Sequence, residues 1–280
     1  MRKNFLIFGL SLVGLIILIL LYLSVNGIKT NKFNHLINDK LKGFDEKLSL
    51  KTNDIFLKLN LNNNSININI DNPKIYSGSK FIDLSKIDIN LDLIKFIKND
   101  NSIKNIQIVS KDNSIKTLTD FIISYKFNIP RFVIFNQIES GNIQAKTNIY
   151  FDEENQNNFT YDVTGKVNNA KLNTLNETFV SNINFNFDIK EQIFNFDNIN
   201  LRYDNIDFQS KKTRIIKSGK NFEVQGDLSN KKGLIKPNSF SKLVNFNLDF
   251  LEKKEISIET ENEFSFKINS NRLIKDLNLI

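Results

Sequence analysis

The fold is decided by the segment FIDLSKIDINLDL, residues 81–93. Its apolar residues Ile87, Ile89, Leu91 and Leu93 alternate with Asp and Asn. A period of two is typical of a strand with one apolar face and one wetted face. The pattern recurs along most of the chain, so we predict a mainly β protein built on an elongated, twisted antiparallel sheet. The other alternating segments are 48–50, 55–61, 66–70, 106–108, 132–134, 143–151, 159–167 and 183–189.

Further along the chain, the apolar positions change parity within one strand-like segment. Phe194 and Phe196 occupy even positions, whereas Leu201 and Tyr203 occupy odd ones. A regular strand cannot present both sets on one face of a sheet. We therefore predict a turn or a β-bulge at residues 197–198.

A few short helices are predicted where apolar residues recur at helical spacing. The first is amphipathic, spans residues 33–44, and either caps the end of the sheet or lies on a bilayer surface. The others are expected at 115–123, at 240–251 with Asn238 or Ser239 as the N-cap, and at 272–279.

The N-terminal segment Phe5–Val25 contains 21 residues without a charge. As a helix it would be about 31 Å long, which matches the hydrocarbon core of a bilayer. Arg2 and Lys3 precede it and favour a cytoplasmic N-terminus. The alternative is a cleaved signal peptide, but the apolar run is longer than usual and ends in YLSVNG, which is a poor cleavage site.

The expected organisation follows from this anchor. Residues 1–4 are cytoplasmic, 5–25 form a single transmembrane helix, and 28–280 form one β-rich domain outside the cytoplasm. No linker rich in Pro, Gly or Ser divides this domain, and a soft joint is expected near 124–130.

The charge and composition exclude several classes of function. The net charge is +7, of which +4 lies in residues 1–45, with six Lys or Arg against two Asp. A basic anchor region suits anionic lipid, and the strand domain lacks the basic stripe of a nucleic-acid binder. No Cys is present, so disulfides and thiolate sites are absent.

Catalytic patterns are also missing. His35 is the single histidine, and neither a G-x-S-x-G elbow nor a phosphate-binding glycine motif occurs. The acidic run at 152–154 could bind Ca²⁺, but a solvated hairpin loop is the commoner role of such a run. We expect no enzyme, no cofactor and no metal site, with an envelope enzyme kept as a minor alternative.

The order of these features resembles the AsmA-like envelope proteins. The matching stretches are the anchor, 33–44, 55–70, 81–93, 106–108, Glu139–Ile143, Val163–Ala170 and Phe222–Gly226. The resemblance implies a taco-like β-groove with an apolar concave face, located in the periplasm and held in the inner membrane. It also implies phospholipid transport between the membranes, or outer-membrane biogenesis, with membrane lipid as partner and other envelope proteins as further partners.

An apolar groove suits an acyl chain, since each buried CH₂ contributes about 0.8 kcal/mol. The residues expected to line it come from alternating strands: Ile66, Ile68, Ile70, Ile87, Ile89, Leu91, Phe185, Phe187, Leu201 and Phe208. The competing hypothesis is an anchored β-sandwich that acts as a structural or interaction protein and closes the same residues into a dry core. Both hypotheses predict the same alternation.

Overall fold

The computed structural model describes residues 2–31, 34–52, 54–98, 100, 103–152, 155, 158–173, 179–244, 255–269 and 274–279. The protein is mainly β, with 64% strand, which confirms the fold class predicted from the alternation. The helices are α1 Arg2–Val25, α2 Asn34–Phe44, α3 Leu93–Ile97, α4 Ile115–Tyr125, α5 Ile129–Asn136 and α6 Pro237–Val244. The strands are β1 Ile28–Thr30, β2 Leu48–Lys51, β3 Ile55–Asn60, β4 Ser65–Asp71, β5 Lys74–Ser77, β6 Lys80–Asp92, β7 Ile103–Ser110, β8 Asn113–Ser114, β9 Ile138–Phe151, β10 Phe159–Asn173, β11 Phe179–Lys190, β12 Ile193–Tyr203, β13 Ile206–Ser218, β14 Asn221–Ile235, β15 Ile256–Ile268 and β16 Ile274–Leu279.

The strands form one large antiparallel sheet that is not closed. Its main path is β1-β3-β4-β6-β7-β9-β10-β11-β12-β13-β14-β15-β16, while β2 pairs with β5, β5 with β6, and β8 with β9. A sandwich needs two sheets packed face to face. Within the described part of the chain the strands join into one hydrogen-bonded sheet that is not closed, and the sandwich hypothesis stays untested.

The chain divides into two compact units. The first unit contains 1–77, 83–109 and 148–160, and the second contains 78–82, 110–147 and 161–280. The soft joint near 124–130 stays a prediction.

Helix α1 coincides with the apolar N-terminal segment, but side chains are described only from residue 11 onward. Among the residues that are described, no helix is long and apolar enough to cross a membrane. The transmembrane assignment of 5–25 therefore stays a prediction.

The other predicted helices have mixed outcomes. Helices α2 and α4 confirm the predictions at 33–44 and 115–123, and the Ser114 hydroxyl caps α4 by accepting from the Thr117 amide at 3.0 Å. Helix α6 begins at Pro237, so Asn238 and Ser239 lie inside its first turn and the predicted N-cap is wrong; residues 245–254 lie outside the described residues.

In two segments the predicted secondary structure is wrong: one predicted strand is a helix, and one predicted helix is a strand. Residues 132–134, predicted as a strand, belong to helix α5. The prediction was wrong because IPRFVIFN is almost continuously apolar, and such a short run fits a strand and a helix equally well. Residues 274–279 form strand β16 in place of a helix, since the edge of β15 offers backbone partners to this segment. Tertiary pairing thus overrides a weak helical spacing.

The predicted break in β12 is confirmed as a β-bulge. Strand β12 continues from Ile193 to Tyr203, but Asn198 has φ +56° and the register against β11 shifts between Asn184 and Asn186. The Asn200 side chain donates to the Asn198 carbonyl at 3.1 Å and holds the bulged residue. Even and odd apolar residues therefore share one face of the sheet.

Register shifts of the same kind occur in further strands of the second unit. In each one, the apolar positions change parity where the register shifts, and a bulge bends the strand. The shifts lie after Val167 in β10, at Asn182 in β11, between Gln209 and Thr213 in β13, and between Asn230 and Gly233 in β14.

Asn198 provides a test of the bulge. Left-handed backbone costs most residues roughly 1–2 kcal/mol, whereas Gly adopts it freely. We expect Asn198→Val to lower the free energy of unfolding by about that amount and Asn198→Gly to leave it nearly unchanged. Chemical denaturation of the two variants checks this, and an equal loss in both would contradict a role for positive φ.

The bulge in β13 is held by a carboxylate on β14. Asp227 accepts from the backbone amides of Lys211 and Lys212, both at 2.8 Å, and from the Ser210 hydroxyl at 3.4 Å. Partial burial raises the pKa of Asp227, but these hydrogen bonds together outweigh it, and the net pKa is lowered from its ordinary value of 3.8. The ionised carboxylate therefore stabilises the folded state.

This arrangement predicts a pH-dependent stability. Because the folded pKa lies below the unfolded one, the stabilisation is complete above the unfolded pKa and is lost as the pH falls through the folded pKa. We expect Asp227→Asn to cost about 1.5 kcal/mol at pH 7. Thermal melts of variant and parent should converge as the pH drops below 3.8, while the exposed control Glu223→Gln on the same strand should change the melting temperature little at pH 7.

Candidate functional site

The first unit carries an apolar ladder on one face of its sheet. Strands β3, β4 and β6 place cross-strand partners side by side, and such partners share a face. The three rows are Ile55-Ile70-Ile87, Leu57-Ile68-Ile89 and Leu59-Ile66-Leu91. All six lining residues predicted from this part of the sequence lie in the ladder.

Exposure differs between the rows of this ladder. In the first row Ile55 and Ile70 are fully buried, and Ile87 is buried as well. In the middle row Leu57, Ile68 and Ile89 are all half-buried. The middle of the strands is therefore the open part of the apolar face.

The opposite face of the same strands is polar. Asn67 pairs with Asn90 across β4 and β6, and the Asn69 side chain donates to Asp88. Lys86 forms an ion pair with Asp88 at 2.9 Å. The predicted division into one apolar face and one wetted face is confirmed here.

The second unit carries a longer ladder that crosses six strands, β10 to β15. Its two rows run through directly opposed residues, and most of their side chains are half-buried; Phe187 and Val224 are buried. The rows are Val163-Ile189-Phe194-Ile215-Val224-Phe266 and Gly165-Phe187-Phe196-Thr213-Gly226-Phe264. Strand β16 extends the second row to Leu279, which is 64% exposed.

The reverse side of these six strands is again polar. One row of directly opposed residues consists of Thr164-Asp188-Asn195-Arg214-Gln225-Ser265. The second unit thus also has one apolar face and one polar face.

The four lining residues predicted in this unit fall into two groups. Phe187 and Phe208 are buried among the protein's own side chains, each 8% exposed. Phe185 and Leu201 are half-buried and pack at the margin of the cluster that contains Ile115 of helix α4. Apart from Phe187, the residues of the long ladder are not among the predicted lining residues. Their alternation with polar residues along each strand is the sequence pattern that could have identified them.

Gly165 is the tightest point of the ladder. A Cβ added there would come within 3.0 Å of both the Gln144 carbonyl oxygen and the Phe187 ring. The ring of Phe187 therefore lies directly over the glycine backbone, and Phe185 contacts Phe196 edge to face with centroids 5.7 Å apart. These contacts pack the aromatic rings closely together on the apolar face.

Ionisable side chains form no comparable centre. No group of three or more His, Asp or Glu residues suited to a metal occurs among the residues that are described. His35 pairs with Asp39 at 2.6 Å on the exposed side of α2. Of the acidic run at 152–154, residues 153 and 154 lie outside the described residues, so a Ca²⁺ site there stays untested.

Comparison with protein-family models, curated sequences and solved structures finds no match. The indications of function therefore come from the two ladders and the N-terminal segment.

Proposed function

We propose that the protein is held in the inner membrane by residues 5–25 and binds phospholipid acyl chains on the open apolar face of its periplasmic sheet. In this role it would move lipid between membranes and contribute to outer-membrane biogenesis. It needs no catalytic residue and no cofactor for this, because the acyl chain is transferred by contact alone.

The observation that carries the proposal is the half-buried ladder. A dry core buries its side chains completely, as at Ile55 and Ile70, whereas Leu57, Ile68 and Ile89 keep part of their surface without a protein neighbour. Each CH₂ removed from water on this surface contributes about 0.8 kcal/mol. An acyl chain along the half-buried rows would supply that contact.

The anchor in this proposal is based on the N-terminal segment that contains helix α1. Its described apolar side chains are largely exposed, with Leu15 at 56% and Leu18 at 65%. A helix that is apolar all round is typical of burial in a bilayer or a large core. Together with the uncharged run Phe5–Val25 and the preceding Arg2 and Lys3, this favours a bilayer with the N-terminus in the cytoplasm.

A second candidate function is a structural or interaction protein of the envelope. It is favoured by strand β16, whose apolar residues Ile274 and Leu279 are more than 60% exposed at the edge of the sheet. An exposed edge strand can pair with a strand of another protein. Under this reading the apolar face is covered by a protein partner in place of lipid.

Mass spectrometry of the detergent-free domain, residues 28–280, separates the two functions. The lipid-binding proposal predicts phospholipid in stoichiometric amount after purification from cells. Lipid-free protein that co-purifies with one defined envelope protein would support the second function. A reporter fused after Ile280 that is active only in the cytoplasm would contradict the proposed topology.

A further inference from the structure

We infer that helix α3, together with the neighbouring β3–β4 hairpin, is a second membrane contact that lies on the same bilayer that holds residues 5–25. This inference rests on the proposed anchor. It concerns a surface that neither the ladder nor the anchor segment includes.

The first argument is the short connection between anchor and sheet. The uncharged segment ends at Val25 and strand β1 begins at Ile28, so only Asn26 and Gly27 lie between them. Two residues span at most about 7 Å. The strand end at which the chain enters the sheet is therefore held close to the membrane surface.

The register of the sheet identifies that strand end. Ile28 pairs with Leu57, and β1 runs antiparallel to β3. Residues before Ile28 are therefore directed toward the end of β3, where residues 61–64 form the hairpin to β4. Leu61 in this hairpin is 38% exposed.

Helix α3 lies at the same strand end. The Leu93 amide, at its first residue, donates to the Asn64 carbonyl of the hairpin at 2.9 Å. Helix α3 follows β6, which lies three strand positions from β1, the strand that continues from the anchor, and this corresponds to about 14 Å across the sheet. The helix is therefore within a short lateral distance of the anchor.

The exposed side chains of α3 are those of a membrane contact. Ile94 is 51%, Phe96 49% and Ile97 71% exposed, which is unusual for three large apolar residues within four positions. Lys95 and the exposed Lys98 lie beside them, and Asp92 and Asp100 lie at the two ends of the segment, so the four charges balance. The contact therefore depends on the apolar and aromatic side chains, which suit the interface of a bilayer.

The absence of Cys from the chain allows a direct test in the full-length protein. Single-cysteine variants Ile97→Cys and Asp71→Cys are labelled with an environment-sensitive fluorophore and reconstituted in phosphatidylethanolamine–phosphatidylglycerol vesicles. Asp71 is exposed at the other end of β4 and serves as the matched control.

We expect the label at residue 97 to shift to shorter wavelength and to be quenched by spin-labelled lipid, while the label at 71 stays in water. Equal, water-like emission at both positions in protein that floats with the vesicles would overturn the inference and leave the anchor intact. Protein that does not float would overturn both the anchor and this inference. Loss of the shift in Ile94→Ser/Phe96→Ser, with flotation retained, would support the assignment of the contact to α3.

Discussion

Replacement of Ile70 by Asp is expected to unfold the strand domain, whereas the same replacement at Ile89 should leave it folded and remove bound lipid. Both residues belong to the ladder of the first unit and lie on adjacent strands. Ile70 has no exposed surface, so a carboxylate there would be buried without a partner, at a cost of several kcal/mol. Ile89 is half-buried, and water can reach a carboxylate at that position.

The experiment combines a thermal melt with the amount of lipid that co-purifies. Asn67→Asp introduces the same charge on the polar face of β4 and should change neither quantity. Phe187→Asp is less informative, because Phe187 is buried in the cluster of the second unit and its replacement would unfold the domain under either function. If Ile70→Asp and Ile89→Asp both unfold, and the parent carries no lipid, the face is closed and the lipid proposal is wrong.

The second large effect is expected at Gly165. In Gly165→Val the new side chain meets the Phe187 ring and the Gln144 carbonyl oxygen, and the carbonyl is backbone that cannot rotate away. Overpacking of this kind costs about 1–3 kcal/mol or more. We expect a clear fall in the free energy of unfolding, measured by chemical denaturation.

Two further variants test the reason for this loss. Thr164→Val changes the adjacent, half-buried position on the polar face and should cost little. Phe187→Ala in the Gly165→Val background removes the ring but leaves the carbonyl, so we expect the coupling between the two changes to be partial. Full additivity of the two single losses would show that the ring and the glycine do not interact.

The strands and the β12 bulge could be read from the sequence because their signal is local. Side chains alternate across a strand, so Ile66, Ile68 and Ile70 have to share a face once they lie in a strand. The change of parity between Phe196 and Leu201 predicts the bulge in β12 by the same local rule. The bulges in β10, β13 and β14 show the same change of parity, but the small or polar residues Ala170, Ser210 and Gly233 stand beside the shifts and make their position less clear.

Helix α5 and strand β16 could not be read correctly for a different reason. Each segment is short, and its apolar spacing fits both a helix and a strand. For β16 the choice was made by a partner outside the segment: it pairs with the preceding strand β15, for example Ile274 with Ile268 and Leu279 with Phe264. Single-segment patterns do not contain that information.

Which side chains share a face follows from the sequence, because a period of two is a property of the extended backbone. Which of them are closed off from water depends on tertiary packing. Ile70 and Ile89 are the same residue type in similar alternating strands, yet one is fully buried and the other is half-buried. The difference arises because burial depends on which distant elements pack over each row of the ladder, and no spacing along the chain encodes that.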